Sequence, residues 1–134
     1  MRIYCDASIL VARVAREDAH AQAAERIDGY VAGGGLLVSS ELASLEVHRA
    51  FTRRTASDPR NPPWLTRSEA ALDGVILMSL DRSVIDVARQ IPGAHLGSLD
   101  AIHVATALMV SAEVVLTRDR RMAEACEAVG LAVA

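Results

Sequence analysis

Short apolar runs alternate along this chain with longer stretches of helical period. Met1-Arg2-Ile3-Tyr4-Cys5 has the length and composition of a buried strand, and Asp6-Ala7-Ser8-Ile9-Leu10-Val11 follows it directly as the opening of a helix. From Ser8 to about Val31 apolar and charged residues recur with a helical period, which predicts two helices bent near Glu17-Asp18, closed by Gly33-Gly34-Gly35. Leu36-Leu37-Val38 is the next strand, and a helix capped by Ser40 runs to about Arg54. The stretch Ser57 to Pro63 holds Pro59, Pro62 and Pro63, which remove donors and fix the backbone, so it is a loop. Beyond it the pattern predicts a helix over Thr66 to Asp73 capped by Thr66, a strand over Val75 to Met78 and a helix from Arg82 to Gln90 before the turn Pro92-Gly93. A serine-capped helix from Ser98 to Met109, a strand Val114-Val115-Leu116, a helix after Asp119 and a terminal strand Leu131-Ala132-Val133 complete the chain. Strands alternating with helices predict an α/β fold, a three-layer sandwich with a central parallel sheet of four to five strands covered on both faces. Residues 1–134 read as one domain with no internal repeat.

Four acids stand where apolar runs give way to turns or helices. Asp6 closes the first strand and Asp119 follows Val114-Val115-Leu116-Thr117-Arg118. In open parallel sheets the crevice beyond the carboxyl ends of the strands collects ligands, because loops and helix amino termini converge there. Glu46 and Asp100 would enter from helices. Asp100 falls in the first turn of its helix, where the helix dipole alone accounts for a negative charge. Glu46 sits within or beside the apolar positions Leu42, Leu45, Ala50 and Phe51, and a charge there needs a partner or a metal ion. Acids gathered in one crevice repel one another unless some stay protonated or divalent cations neutralise them. Oxygen ligands without cysteine point to magnesium or manganese, and such ions serve phosphodiester hydrolysis.

Composition narrows the choice. The formal net charge of −3 gives no global attraction for a polyanion, so any nucleic-acid contact depends on local clusters. All 14 basic residues are arginine; Arg49, Arg53, Arg54, Arg60 and Arg67 fall in one stretch, and Arg118, Arg120 and Arg121 surround Asp119. Arginine forks onto phosphate and carboxylate alike. With only Trp64, Tyr4, Tyr30 and Phe51 aromatic, base stacking on aromatic platforms is not expected to dominate. Cys5 and Cys126 lack metal-ligand spacing and read as reduced core residues. The chain shows no signal core and no apolar span of membrane length, so a cytoplasmic protein is expected.

Four segments together resemble a known family: Tyr4-Cys5-Asp6-Ala7-Ser8, Ser39 to Ala50 with Glu46 inside it, Ser98-Leu99-Asp100-Ala101-Ile102-His103-Val104-Ala105-Thr106-Ala107, and Leu116-Thr117-Arg118-Asp119-Arg120-Arg121. In this order and spacing the chain is similar to the PIN-domain ribonucleases, specifically the VapC-type toxins of toxin–antitoxin pairs, along essentially its whole length. The resemblance implies a PIN fold whose acids bind Mg2+ or Mn2+ and cleave RNA, leaving 5′-phosphate and 3′-hydroxyl ends. It makes Asp6 and Asp100 the principal metal ligands, Glu46 a third acid acting directly or through water, and Asp119 a fourth. Ser8 and Thr117 would assist by hydrogen bonding, and Arg49 would pair with a carboxylate or with an antitoxin segment. A cognate antitoxin and a homodimer are implied partners; the apolar helices around Val11, Val14 and Leu108 offer surface for a dimer, and core burial explains them equally well.

Rival readings meet specific obstacles. A metal-dependent adhesion module needs a second serine where Leu10 stands, and receiver domains or haloacid dehalogenase phosphatases need a lysine that the chain lacks. No glycine fingerprint follows the first strand for a dinucleotide. Ser8 and His103 suggest a hydrolytic triad, but no strained nucleophile turn surrounds Ser8. A histidine at position 103, three residues after Asp100, more often orients its neighbours. The remaining alternative is a catalytically inactive PIN-like module that binds RNA or protein.

Overall fold

A computed structural model describes residues 1–15, 21–57 and 64–134, with side chains at 55–57 and 64–65 left aside. Four parallel strands, β1 (Arg2–Cys5), β2 (Leu36–Ser40), β3 (Val75–Met78) and β4 (Val114–Leu116), form one sheet in the order β3-β2-β1-β4. Ile3 stands opposite Leu37 on one side and Val114 on the other, and Tyr4 opposite Val38 and Val115. The connections run outward from β1 toward β3, and the chain returns to place β4 on β1's other flank. The order therefore reverses between β1 and β4, which is where open α/β sheets leave a crevice.

Alternation along β1 divides its side chains between two cores. Ile3 and Cys5 face helices α1 (Ala7–Ala15), α2 (Ala21–Ala32) and α3 (Glu41–Ser57), packing with Ile9, Leu10, Ile27, Val47 and Phe51. Tyr4 faces α6 (Ser98–Met109) and α7 (Arg120–Ala128), packing with Val104, Ala107, Val115, Met122 and Cys126. Helix α4 (Trp64–Leu72) lies on α3 and α1, and α5 (Arg82–Ala88) on α6. Cys5 and Cys126 are buried free thiols in separate cores, each pushed up to about 12, first by burial. Val11 and Val14 pack against the first core and Leu108 against the second, so all three serve the interior.

Several boundaries differ from the sequence pattern for local reasons. Helix α6 is preceded by Gly97 in extended conformation, which makes Ser98 the first helical residue; no side chain caps this end. Helix α4 begins at Trp64, two residues ahead of Thr66, α3 continues to Ser57, and α5 stops at Ala88. The terminal strand shrinks to a single bridge between Val133 and Val115. Its start is taken up by the end of α7, where Leu131 N–H turns back to Cys126 O at 3.0 Å. Ser40 does cap α3, accepting from Leu42 N–H at 3.1 Å. Gly35 is required where α2 meets β2, since a Cβ there would stand 2.9 Å from the carbonyl oxygen of Tyr30 and collide with the Ile3 side chain. The expected bend at Glu17-Asp18 and the proline-rich segment from Asp58 to Pro63 lie outside the described residues. No helix among the described residues is long and apolar enough to cross a membrane.

Candidate active site

Asp6 leaves the carboxyl end of β1 and is 4% exposed. Its Oδ1 accepts from the Ser8 hydroxyl at 2.7 Å and from Ile9 N–H at 3.0 Å; its Oδ2 accepts from the Thr117 hydroxyl at 2.5 Å. The two hydroxyls also lace the β4 exit to this point: Ser8 Oγ accepts from Arg118 N–H at 2.9 Å and Thr117 Oγ1 from Asp119 N–H at 3.0 Å. Ser8 and Thr117 thus fix a buried carboxylate between two adjacent parallel strands.

Asp119 has a structural task as well. One oxygen, Oδ1, caps α7 by accepting from Arg121 N–H at 2.8 Å and Met122 N–H at 3.2 Å. The stabilising role that sequence position suggested for Asp100 is therefore filled most visibly by Asp119. Asp100, in the first turn of α6, receives no hydrogen bond among the described residues, although it is only partly exposed. Burial raises its pKa, and Asp119, Asp6 and Glu46 raise it further, while His103 lowers it. The four acids thus share one electrostatic neighbourhood.

Glu46 projects from α3 and is half-buried. Its Oε1 accepts from His103 Nε2 at 2.5 Å, and His103 Nδ1 meets the Tyr4 hydroxyl at 2.7 Å. The partner that a buried glutamate requires is therefore a histidine of α6, itself 2% exposed. Oε2 is left without a hydrogen bond among the described residues. Tyr4 was absent from the residues selected by sequence. The signal existed: on a strand, residues two apart share a face, so Tyr4 points to the same layer as Asp6.

These contacts do not assemble a closed cage. Among the described residues no three His, Cys, Asp or Glu side chains are grouped so as to hold a metal ion. The donor chemistry nevertheless suits a hard cation: all four groups are oxygen acids, and among the described residues Asp100 has no hydrogen-bond donor while Asp119 and Glu46 each keep one oxygen free of donors. Magnesium keeps much of its water shell and usually takes only one or two direct carboxylates, so an open arrangement fits it.

Two cavities flank the acids. One, of about 280 Å³, is lined by Glu46 and Ser8 together with Arg53, Arg54 and Arg118. A larger one, of about 760 Å³, is lined by His95, Leu96, Arg120, Arg121 and Glu124 among others and by none of the four acids. Arg49, selected from sequence, is exposed on α3 and lines neither cavity; Arg53, one helical turn on, takes the place beside Glu46.

Both Asp6 and Asp100 have pKa values raised above the ordinary 3.8, chiefly by burial. The folded state then binds protons more tightly than the unfolded chain, so these two groups add stability as pH falls toward their raised values and lose it as pH rises through them. Metal-free protein is expected to melt higher as pH falls toward the raised values of these carboxylates than at a pH well above them, and Asp100→Asn to shrink that difference while raising the melting temperature at the higher pH. Calorimetry in chelator checks both; an unchanged pH response in the variant would contradict the assignment for Asp100.

A PIN-domain family model matches residues 3–128. The chain belongs to the PIN-domain family. Two relatives from Mycobacterium tuberculosis match over nearly full length: Ribonuclease VapC46 of strain ATCC 25618 / H37Rv at 32% identity and Ribonuclease VapC47 of strain CDC 1551 / Oshkosh at 30%, each covering 98% of this chain and 95% of the relative. Among solved structures, VapBC2 from Rickettsia felis, bound to a DNA fragment from its promoter, has a chain that superposes with a TM-score of 0.71 at 12% identity, covering 100% of this chain and 98% of that one. This last likeness speaks to the fold, and it agrees with the parallel sheet and its flanking helices.

Proposed function

We propose that the protein is a divalent-metal-dependent endoribonuclease of the VapC type, acting in the cytoplasm as the toxin of a toxin–antitoxin pair. The observation that carries this reading is the meeting of Asp6, Asp100, Asp119 and Glu46 in one electrostatic field at the point where the strand order reverses. Two full-length relatives named as ribonucleases support the RNA substrate. Asp6 and Asp100 would hold Mg2+ or Mn2+, with Asp119 and Glu46 contributing through their free oxygens, directly or through water. Held there, a divalent ion would supply charge to neutralise the phosphate and to acidify a water for attack.

The chain's own side chains do the rest. Ser8 and Thr117 hold the Asp6 carboxylate in a single orientation, so it need not reorganise when substrate arrives. Arg53, lining the cavity beside Glu46, offers a forked donor to RNA phosphates on an otherwise acidic protein. The products would carry 5′-phosphate and 3′-hydroxyl ends. The expected partners are a cognate antitoxin and a second copy of this chain; exposed Ile76, Met78, Leu80 and Leu99 supply apolar area for such contacts.

Purified protein incubated with a structured RNA should cut it in millimolar magnesium or manganese, stop in chelator and resume when the ion is restored. An inactive binding module would instead shift the RNA in a gel and leave it whole, and that outcome would replace the nuclease reading.

A further inference from the structure

We propose that Tyr4 and His103 are positioning residues for Glu46: a buried hydrogen-bond chain from the Tyr4 hydroxyl through the His103 imidazole fixes the Glu46 carboxylate so that Oε2 remains available to the reaction. The inference rests on the nuclease reading for its consequence, but the chain itself stands on geometry. Three elements on different layers are tied together: β1 supplies Tyr4, α6 supplies His103 and α3 supplies Glu46, with links of 2.7 Å and 2.5 Å. Tyr4 and His103 are buried, whereas Glu46 is 28% exposed, so the chain runs from the core outward to the crevice.

The direction of the chain follows from what each group can donate. An ionised carboxylate only accepts, so the proton between His103 and Glu46 belongs to Nε2. In the tautomer carrying that single ring proton, Nδ1 presents a lone pair, which the Tyr4 hydroxyl fills by donating. Two other hydroxyls stand beside Tyr4, those of Ser39 and Thr106, and each already donates to a backbone carbonyl, of Cys5 at 2.5 Å and Ile102 at 2.7 Å. Burial and the nearby acids keep the phenol protonated. Tyr4 therefore fixes the tautomer of His103, and His103 fixes one oxygen of Glu46. A glutamate on a helix surface would otherwise sample several rotamers; anchored at Oε1, it keeps the other oxygen free.

A purely structural role predicts loss of stability on substitution, while positioning predicts a pattern in turnover. Tyr4→Phe preserves the ring and removes only the donor. It should lower kcat about tenfold with KM unchanged, the usual scale for a group that orients another. His103→Leu should lose more, and His103→Gln should recover much of that loss, because an amide offers both the donor for Glu46 and the acceptor for Tyr4. In a Glu46→Gln background, Tyr4→Phe should cost little further. Independently of activity, the imidazole 15N resonances of His103 should show hydrogen on Nε2 in the native protein, and the Nδ1 signal should move in Tyr4→Phe. Native kcat in folded Tyr4→Phe and His103→Leu would overturn the proposal, as would equal losses in His103→Gln and His103→Leu. An Nδ1 signal unmoved by Tyr4→Phe would overturn the chain itself. A native protein that cuts no RNA would instead remove the nuclease reading and with it the assigned role, while the ring signals would still report the chain.

Discussion

Asp6→Asn and Asp100→Asn are each expected to abolish RNA cleavage while leaving a folded protein. Losing a ligand of the ion that would neutralise the reacting phosphate withdraws transition-state stabilisation of about 4 kcal/mol, or about a thousandfold in rate. The fold should survive for reasons visible around each side chain. An asparagine at position 6 keeps a carbonyl oxygen for Ser8 and Ile9 and turns its amide toward Thr117, whose oxygen is able to accept. It also removes a buried charge whose desolvation is the largest influence on its ionisation. At position 100 no hydrogen bond is lost among the described residues, because the carboxylate has none. Single-turnover cleavage of labelled RNA, beside circular dichroism and melting of the same preparations, reads both halves of the expectation. More than about a tenth of native activity in both variants, after removal of host ribonucleases, would refute the site assignment.

The second large effect is thermal. A cation that binds only the folded protein stabilises it by about 2.7 kcal/mol at a hundred times its dissociation constant, which for a domain of this size raises the melting temperature by about 10 °C. Manganese or magnesium added to chelator-treated protein should produce such a rise. Asp100→Asn should blunt it, because a carboxylate with no donor among the described residues gains most from an ion. The pH effect and the metal effect share one origin: protons and divalent cations relieve the same crowding of negative charge. Stabilisation by the metal should therefore weaken as pH falls. No rise at millimolar ion, or an equal rise in Asp100→Asn, would count against these ligands.

Much of this was legible in the residues because periodicity and burial chose the same positions. The first four strands and the helices between them could be placed since Ile3, Tyr4, Leu37 and Val115 are apolar at positions a covered parallel sheet demands. Ends were less legible. Whether Gly97 or Ser98 opens α6 turns on one backbone angle, and the terminal strand was cut short by the carbonyls of α7. In the candidate site, Asp6 and Asp119 announced themselves at strand exits, and Ser8 and Thr117 lay close enough in sequence to be suspected as their supports. Linear spacing gave less guidance where the contact depends on packing. The Glu46 to His103 link joins residues 57 apart, and Tyr4 to His103 joins residues 99 apart, so neither pairing exists until α3 and α6 are laid against the sheet. The sequence singles out Arg49 and counts Arg53 only within the arginine cluster; the lie of α3 gives Arg53 the place beside Glu46 instead.

The bond from Thr117 to Asp6 spans 111 positions, and it closes between neighbouring strands. During biosynthesis the first acid emerges early, yet it lacks this clasp until β4 has been made and has docked on β1. Asp119, just beyond the clasp, arrives with it. A growing polypeptide accordingly carries no finished form of the proposed cutting centre, and the potential hazard to the RNA around it begins only when almost the whole domain has been synthesised.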